Sequence, residues 1–295
     1  MTNTITLSTA DARVELSPSE GAAVVHYTLT DGTALFRPTP SEVQSPFDYA
    51  CILMVPWCNR ISDGGFYLDG DFYPITPNMP GQDCPLHGNA FLQPWRVVEQ
   101  ASDSVEMALV SRGPAPYHYE ARVRYTLRGA ALSLDLGVCH WGDSRVPYGL
   151  GIHPWFDKDD DTTLQFKSAE FVSADAQTLP VARMPLSSEP NWQFDAGKRL
   201  PVDGIDNAFC GWDGRARLSW PSQGRYLEVV TDPPQVCCHV FTPGQTADFF
   251  CFEPVSHLPN AHNWQGASPN GLTLLSQGDE LAFRSVFTPG SIATR

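Results

Sequence analysis

No segment three helical turns long carries apolar residues at i, i+3, i+4 and i+7 without a proline or a glycine inside it. Proline in a helix interior removes a hydrogen bond and clashes with the preceding turn, so a chain punctuated this way is not built from long helices. The 26 prolines and 23 glycines fall between short runs whose period is two. Val123, Tyr125 and Leu127 alternate with Arg122, Arg124 and Thr126. After Arg128-Gly129-Ala130, Leu132, Leu134 and Leu136 alternate with Ser133 and Asp135. That is a hairpin of two half-buried strands. Phe66 to Tyr73 is a second hairpin, with Asp69-Gly70 at a turn that tolerates positive φ. Thr28 to Phe36 reads as a third, and Trp95–Val98 and Val105–Leu109 as further strands. No composition shift marks a linker and no fixed repeat emerges, so the expectation is one all-β domain over residues 1–295, a large antiparallel sandwich or a related closed arrangement.

Hydrophobic residues make up 42% of the chain, enough for a substantial core. A formal net charge of −14 argues against nucleic acid, whose phosphates it would repel. No apolar run is long enough to span a bilayer, and the start of the chain lacks a basic, then apolar, leader. A cytoplasmic protein is expected, with no membrane partner; the oligomeric state is open. Eight scattered cysteines form no CxxC pair. Cys237-Cys238-His239 and the Cys84/His87 spacing are weak zinc cues, and buried free thiols in a reducing compartment are the preferred reading. The stretch Asp157 to Thr163 resembles the opening of a calcium loop. It lacks glycine at the sixth position and has Ser168 where a bidentate glutamate belongs, so a solvated loop is expected. No metal is expected.

Two histidines and a glutamate stand in distinctive contexts. His87 lies in Leu86-His87-Gly88, His153 follows a glycine-rich apolar run and precedes Pro154-Trp155-Phe156, and Glu253 closes Phe249-Phe250-Cys251-Phe252. A glutamate in such aromatic company is buried, which raises its pKa toward neutrality and suits it to general-base work. An imidazole supplies the complementary acid. A carboxylate nearby is expected to raise the pKa of His153. Asn59-Arg60, after the apolar run Cys51 to Trp57, puts a guanidinium fork at a strand end, where it either holds a ligand hydroxyl or clamps the structure. Trp155 can offer an aromatic platform, and Asp206 sits at a turn before Ala208-Phe209. His26, His118, His140, His239, His257 and His262 have no specific task in the sequence.

Read in order, Asn59-Arg60-Ile61, Asn78 followed by Leu86-His87-Gly88, Gly151 to Phe156, Asp206 before Phe209, and Glu253-Pro254 resemble the aldose 1-epimerase (galactose mutarotase) family. The resemblance implies a galactose mutarotase-type β-sandwich with a sugar cleft and no cofactor. It implies that Glu253 takes the proton of the C1 hydroxyl while His153 protonates the ring oxygen, His87 assisting. Arg60 and Asp206 then bind sugar hydroxyls, with Asn59 and Trp155 beside them. The substrate so implied is a free aldose; a C6-charged hexose is an alternative within the same chemistry. A non-catalytic carbohydrate-binding protein on the same scaffold is the alternative from another class, and a binding protein needs no proton-transfer pair.

Overall fold

A computed structural model describes residues 4–292 except 234, 236 and 267–269. Its described residues form strands and single-turn 3-10 helices, with no α-helix among them and none long and apolar enough to cross a membrane. Two large sheets dominate. The ten-stranded sheet runs, in spatial order, Ile5–Ser8, Ala12–Ser17, Ala23–Leu29, Cys51–Met54, Gly151–Asp157, Phe249–Val255, Cys237–Thr242, Ile205–Cys210, Glu170–Ala174 and Pro180–Pro185. The nine-stranded sheet contains the long hairpin His118–Arg128 and Ala131–His140, flanked by Ser104–Arg112 on one side and Glu280–Ser291 on the other. Strand pairing in both sheets is antiparallel.

The alternation fixes which face each strand buries. Val123, Tyr125, Leu127, Leu132, Leu134 and Leu136 point into the space between the sheets, while Arg122 and Arg124 lie on the outer face and pair with Glu99, Glu106 and Glu120. Phe156, Phe209, Phe250, Phe252 and Val240 come from the ten-stranded sheet into the same core. Polar links cross it. Tyr125 donates to the Ala22 carbonyl at 2.8 Å, and the Trp220 indole to the Asp157 carbonyl at 2.8 Å. These are the facing layers of a β-sandwich.

The Phe66–Tyr73 hairpin forms as expected, with Asp69 and Gly70 both at positive φ. The Thr28–Phe36 hairpin also forms, with a short returning limb. Beyond Asp31-Gly32 the Leu29 N–H donates to the Thr33 carbonyl at 2.9 Å and the Leu35 N–H to the Tyr27 carbonyl at 2.8 Å, around the one bridge from Thr28 to Ala34. The acidic stretch is a loop tied to its neighbour. Asp161 accepts from the Ser222 backbone and hydroxyl, Asp159 accepts from Gln223, and Lys158 caps the Gly244 and Ala247 carbonyls.

Candidate active site

Five strands of the ten-stranded sheet, Cys51–Met54, Gly151–Asp157, Phe249–Val255, Cys237–Thr242 and Ile205–Cys210, are consecutive neighbours. Because side chains alternate, the face opposite the core is set by every second residue. On Phe249–Val255, Phe250 and Phe252 go to the core, which leaves Phe249, Cys251 and Glu253 on the outer face. The register then builds rows across the sheet. His239 pairs with Glu253, and the pairings Gly151 to Val255 and Trp155 to Cys251 bracket the place where His153 lies beside Glu253. A parallel row runs through Asp206, Phe241, Cys251 and Trp155.

These rows floor a cavity of about 380 Å³, lined by Glu253, His153, His87, His239, Asp206 and Arg60 among others. It lies at the lower end of small-molecule site sizes, about 300–1,000 Å³. His153 Nε2 stands 3.5 Å from Glu253 Oε1, and its ring stacks on Trp155 at 3.9 Å. Phe47, Trp155, Phe241 and Phe249 give the walls apolar area of the kind that packs on the C–H face of a sugar ring.

Loops after Cys51–Met54 bring in the rest. The Asn59 backbone N–H donates to His87 Nδ1 at 3.1 Å, and the His87 N–H returns to the Asn59 carbonyl at 2.9 Å. Nδ1 is thus an acceptor, which assigns the ring proton of His87 to Nε2. The Asn59 amide oxygen accepts from the Arg60 backbone at 2.9 Å and from its guanidinium at 3.4 Å. Asn78 clamps the His87 loop from behind: it donates to the Leu86 and Gly88 carbonyls at 2.9 and 2.7 Å and accepts from the Leu86 N–H at 2.8 Å. Gly88 has φ +70°, and a Cβ there would meet the Val55 carbonyl oxygen at 2.0 Å, so only glycine allows this approach.

Burial governs the charges. Desolvation pushes Glu253 up to about 8, against the opposing pull of His239 and Arg60. It pushes His153 down to about 3, aided by the positive field of His239, and holds His87 well below the usual range. The expectation that a neighbouring carboxylate would raise His153 is therefore corrected. The carboxylate is beside it, but desolvation of a fully enclosed imidazole wins. Phe250 and Phe252 also do not supply this desolvation directly, since they face the other way.

His239 is the residue that sequence reasoning missed. Its Nε2 lies 2.7 Å from Asp206 Oδ1, and although burial opposes the charge, that hydrogen bond and the charges of Glu253 and Asp206 hold the imidazole above its ordinary value. Asp206 is held low by the same bond, against its own burial. The signal was present only as pairing: strand register places His239 across from Glu253, and one chain's sequence does not reveal its partner. Asp206 thus reaches the cavity, with its carboxylate already engaged. His257 and His262 do not line it; His257 accepts from the Cys58 N–H at 2.8 Å, and His262 bonds the Tyr117 hydroxyl at 2.8 Å.

All eight thiols are free, and Cys237 and Cys238 point to opposite faces, which rules out their joint use with His239 in one site. Among the described residues, the one close grouping of donor types is His153, Cys251 and Glu253, whose donor atoms all lie within 4.8 Å of one another. It consists of the paired imidazole and carboxylate plus a thiol of the next row.

The chain matches the aldose 1-epimerase family over residues 3–288. It is 30% identical to the uncharacterized protein YphB of Escherichia coli (strain K12) over 267 residues, covering 88% of this chain and 89% of that protein. The crystal structure of a candidate aldose 1-epimerase from Escherichia coli K12 superposes with a TM-score of 0.90 at 27% identity, over 98% of this chain and 99% of that one. A galactose mutarotase-like protein from Clostridium acetobutylicum shares the fold, with a TM-score of 0.87 at 17% identity, over 98% and 95% of the two chains. A buried carboxylate–imidazole pair on one face of a large antiparallel sandwich, reached through an aromatic-walled cavity, agrees with these matches: the chain belongs to the aldose 1-epimerase family.

Proposed function

We propose that this protein is a mutarotase that interconverts the α and β anomers of a free aldose. The observation that carries the reading is the Glu253–His153 pair, 3.5 Å apart at the floor of the cavity. Ring opening of a cyclic hemiacetal needs a proton removed from the C1 hydroxyl and one delivered to the ring oxygen. Glu253 removes the first and His153 delivers the second. The C1–O5 bond breaks as the C1 carbonyl forms, rotation about C1–C2 exchanges the faces, and reclosure reverses both transfers. The pair carries one proton throughout, so none need be exchanged with solvent. In the empty cavity burial keeps that proton on Glu253; the C1 hydroxyl and ring oxygen, each bonded to one partner, favour the ionised arrangement from which the reaction proceeds. Each transfer contributes typically about 10²–10⁴-fold. His87, with Nε2 as its donor nitrogen, assists at the ring oxygen. Arg60 and Asp206 hold hydroxyls, Trp155 supplies a wall, and Asn59 orients Arg60 and His87. Proton transfer alone suffices, so no cofactor enters.

The charge inventory favours a neutral sugar over a C6-charged hexose. Arg37 is already paired with Asp248 at 3.2 Å, and the field of Arg60 acts on Asp206 and Glu253. Polarimetry with pure anomers of neutral aldoses and of C6-phosphorylated, sulfonated and carboxylated hexoses tests this. Acceleration confined to neutral sugars is expected. Preference for a charged sugar would move the reading to that alternative, and acceleration of none, with binding retained, would leave a non-catalytic carbohydrate-binding protein.

A further inference from the structure

The acid/base reading gives Asp206 a sugar hydroxyl to hold and leaves its ion-pair partner, His239, without a task. His239 stands directly across the sheet from Glu253 in strand register, and its Nε2 is fixed at 2.7 Å from Asp206 Oδ1. Both residues line the cavity, and His239 is only 5% exposed. The short bond to the half-buried Asp206 carboxylate fixes the orientation of the enclosed His239 imidazole beside Glu253. We propose that His239 is a positioning residue: an imidazolium held by Asp206, whose charge draws Glu253 toward its carboxylate form and makes His153 the stronger acid. This rests on the acid/base reading of the pair and goes beyond it in assigning the pair's electrostatic control to a third histidine.

The groups around Glu253 support the assignment. From Gly151–Asp157 comes His153, from Cys237–Thr242 His239, from Ile205–Cys210 Asp206, and from the loop after Cys51–Met54 Arg60. The thiols of Cys51, Cys58, Cys238 and Cys251 also lie within its field, but burial pushes each of them up, so they stay neutral. The cations acting on Glu253 are then Arg60 and His239, and only His239 is locked to the sheet beside it. A positive charge there lowers the pKa of both members of the pair. Without it, Glu253 holds its proton more tightly, so less of it stands ready as a carboxylate, and His153 becomes a weaker acid toward the ring oxygen.

The test is His239→Gln, which can keep a hydrogen bond to Asp206 and cannot carry a charge. Titration of the carboxyl carbon of 13C-labelled Glu253 by NMR is expected to show a midpoint at least about one pH unit higher in the variant. In parallel, kcat should fall by about 10–100-fold with a smaller change in KM. The alkaline limb of kcat/KM should move to higher pH, and His239→Lys should move both readouts back toward wild type. An unchanged Glu253 midpoint in a folded variant, or a rise in KM with kcat and the limb in place, would overturn the proposal and leave His239 a plain sugar contact. The NMR measurement needs no substrate. A wild-type protein that accelerates no sugar would therefore refute the mutarotase reading, while the midpoint shift still decides on His239.

Discussion

At the scale of the residue, Glu253 and His153 each resist the charge that the proposed chemistry asks of them. Replacement of Glu253 by Gln is expected to lower kcat by at least about 10²–10⁴-fold with the fold retained, because the amide keeps the shape and cannot take a proton. His153→Asn should cost about the same, and His87→Asn less; equal losses at His118 or His262 with none at His153 would contradict the ordering. The active pair holds one proton. It gains a second only as His153 titrates near about 3 and loses its last as Glu253 titrates near about 8. Thus kcat/KM should stay level through the neutral range and fall as pH rises through about 8. A descending acidic limb in the neutral range, with full rate retained above pH 8, would contradict the charge assignment. The same burial has a cost in stability. The unfolded chain loses the Glu253 proton near its ordinary 4.5, while the native protein keeps it to about 8, so native stability declines as pH rises through that window. Melting temperatures should show Glu253→Gln close to wild type at the acidic end and more stable by a few kcal/mol, to order of magnitude, at the alkaline end. A variant less stable than wild type across the range would show that Glu253 is not desolvated as described.

At the scale of the element, the site is held by register and by two loops. Asn78 makes three hydrogen bonds to the segment that carries His87. Asn78→Ala should cost about 1–3 kcal/mol in a chemical denaturation experiment and lower kcat as His87 loses its placement. An unaffected kcat would mean that the Asn59–His87 hydrogen bonds suffice alone. This level also marks what was legible in the sequence. The alternations at residues 121–138 and the Asp69-Gly70 turn were plain because period and turn chemistry are local. Glu253, His153, His87 and Arg60 stood out because each has an unusual neighbour in the chain itself. His239 did not, nor did Phe47 and Phe241, because their importance comes from strands that meet only in the folded sheet. The two faces of Phe249–Val255 were also invisible as an undivided aromatic run. Only pairing shows that Phe250 and Phe252 serve the core while Cys251 and Glu253 serve the cavity. The direction of the His153 shift is hidden in the sequence for a related reason: a neighbouring carboxylate is a local expectation, while the enclosure that outweighs it comes from the assembled sheet.

At the scale of the whole molecule, the sandwich supplies a rigid floor and the loops supply the rim. The core-facing phenylalanines and the cavity-facing acid/base groups share the same strands, so the pair's geometry is fixed by the most buried part of the fold. A chelator should leave the rate unchanged if, as proposed, proton transfer does the chemistry; loss of activity that one added metal restores would reject that mechanism. The central claim is that this pair exchanges anomers. The most direct measurement is two-dimensional exchange NMR on an equilibrated aldose, which reads the α-to-β interconversion rate without coupling enzymes. With wild-type protein, anomer cross-peaks should grow in proportion to enzyme concentration, and with Glu253→Gln they should return to the rate of the sugar alone. Cross-peaks of equal intensity with the two proteins would contradict the account.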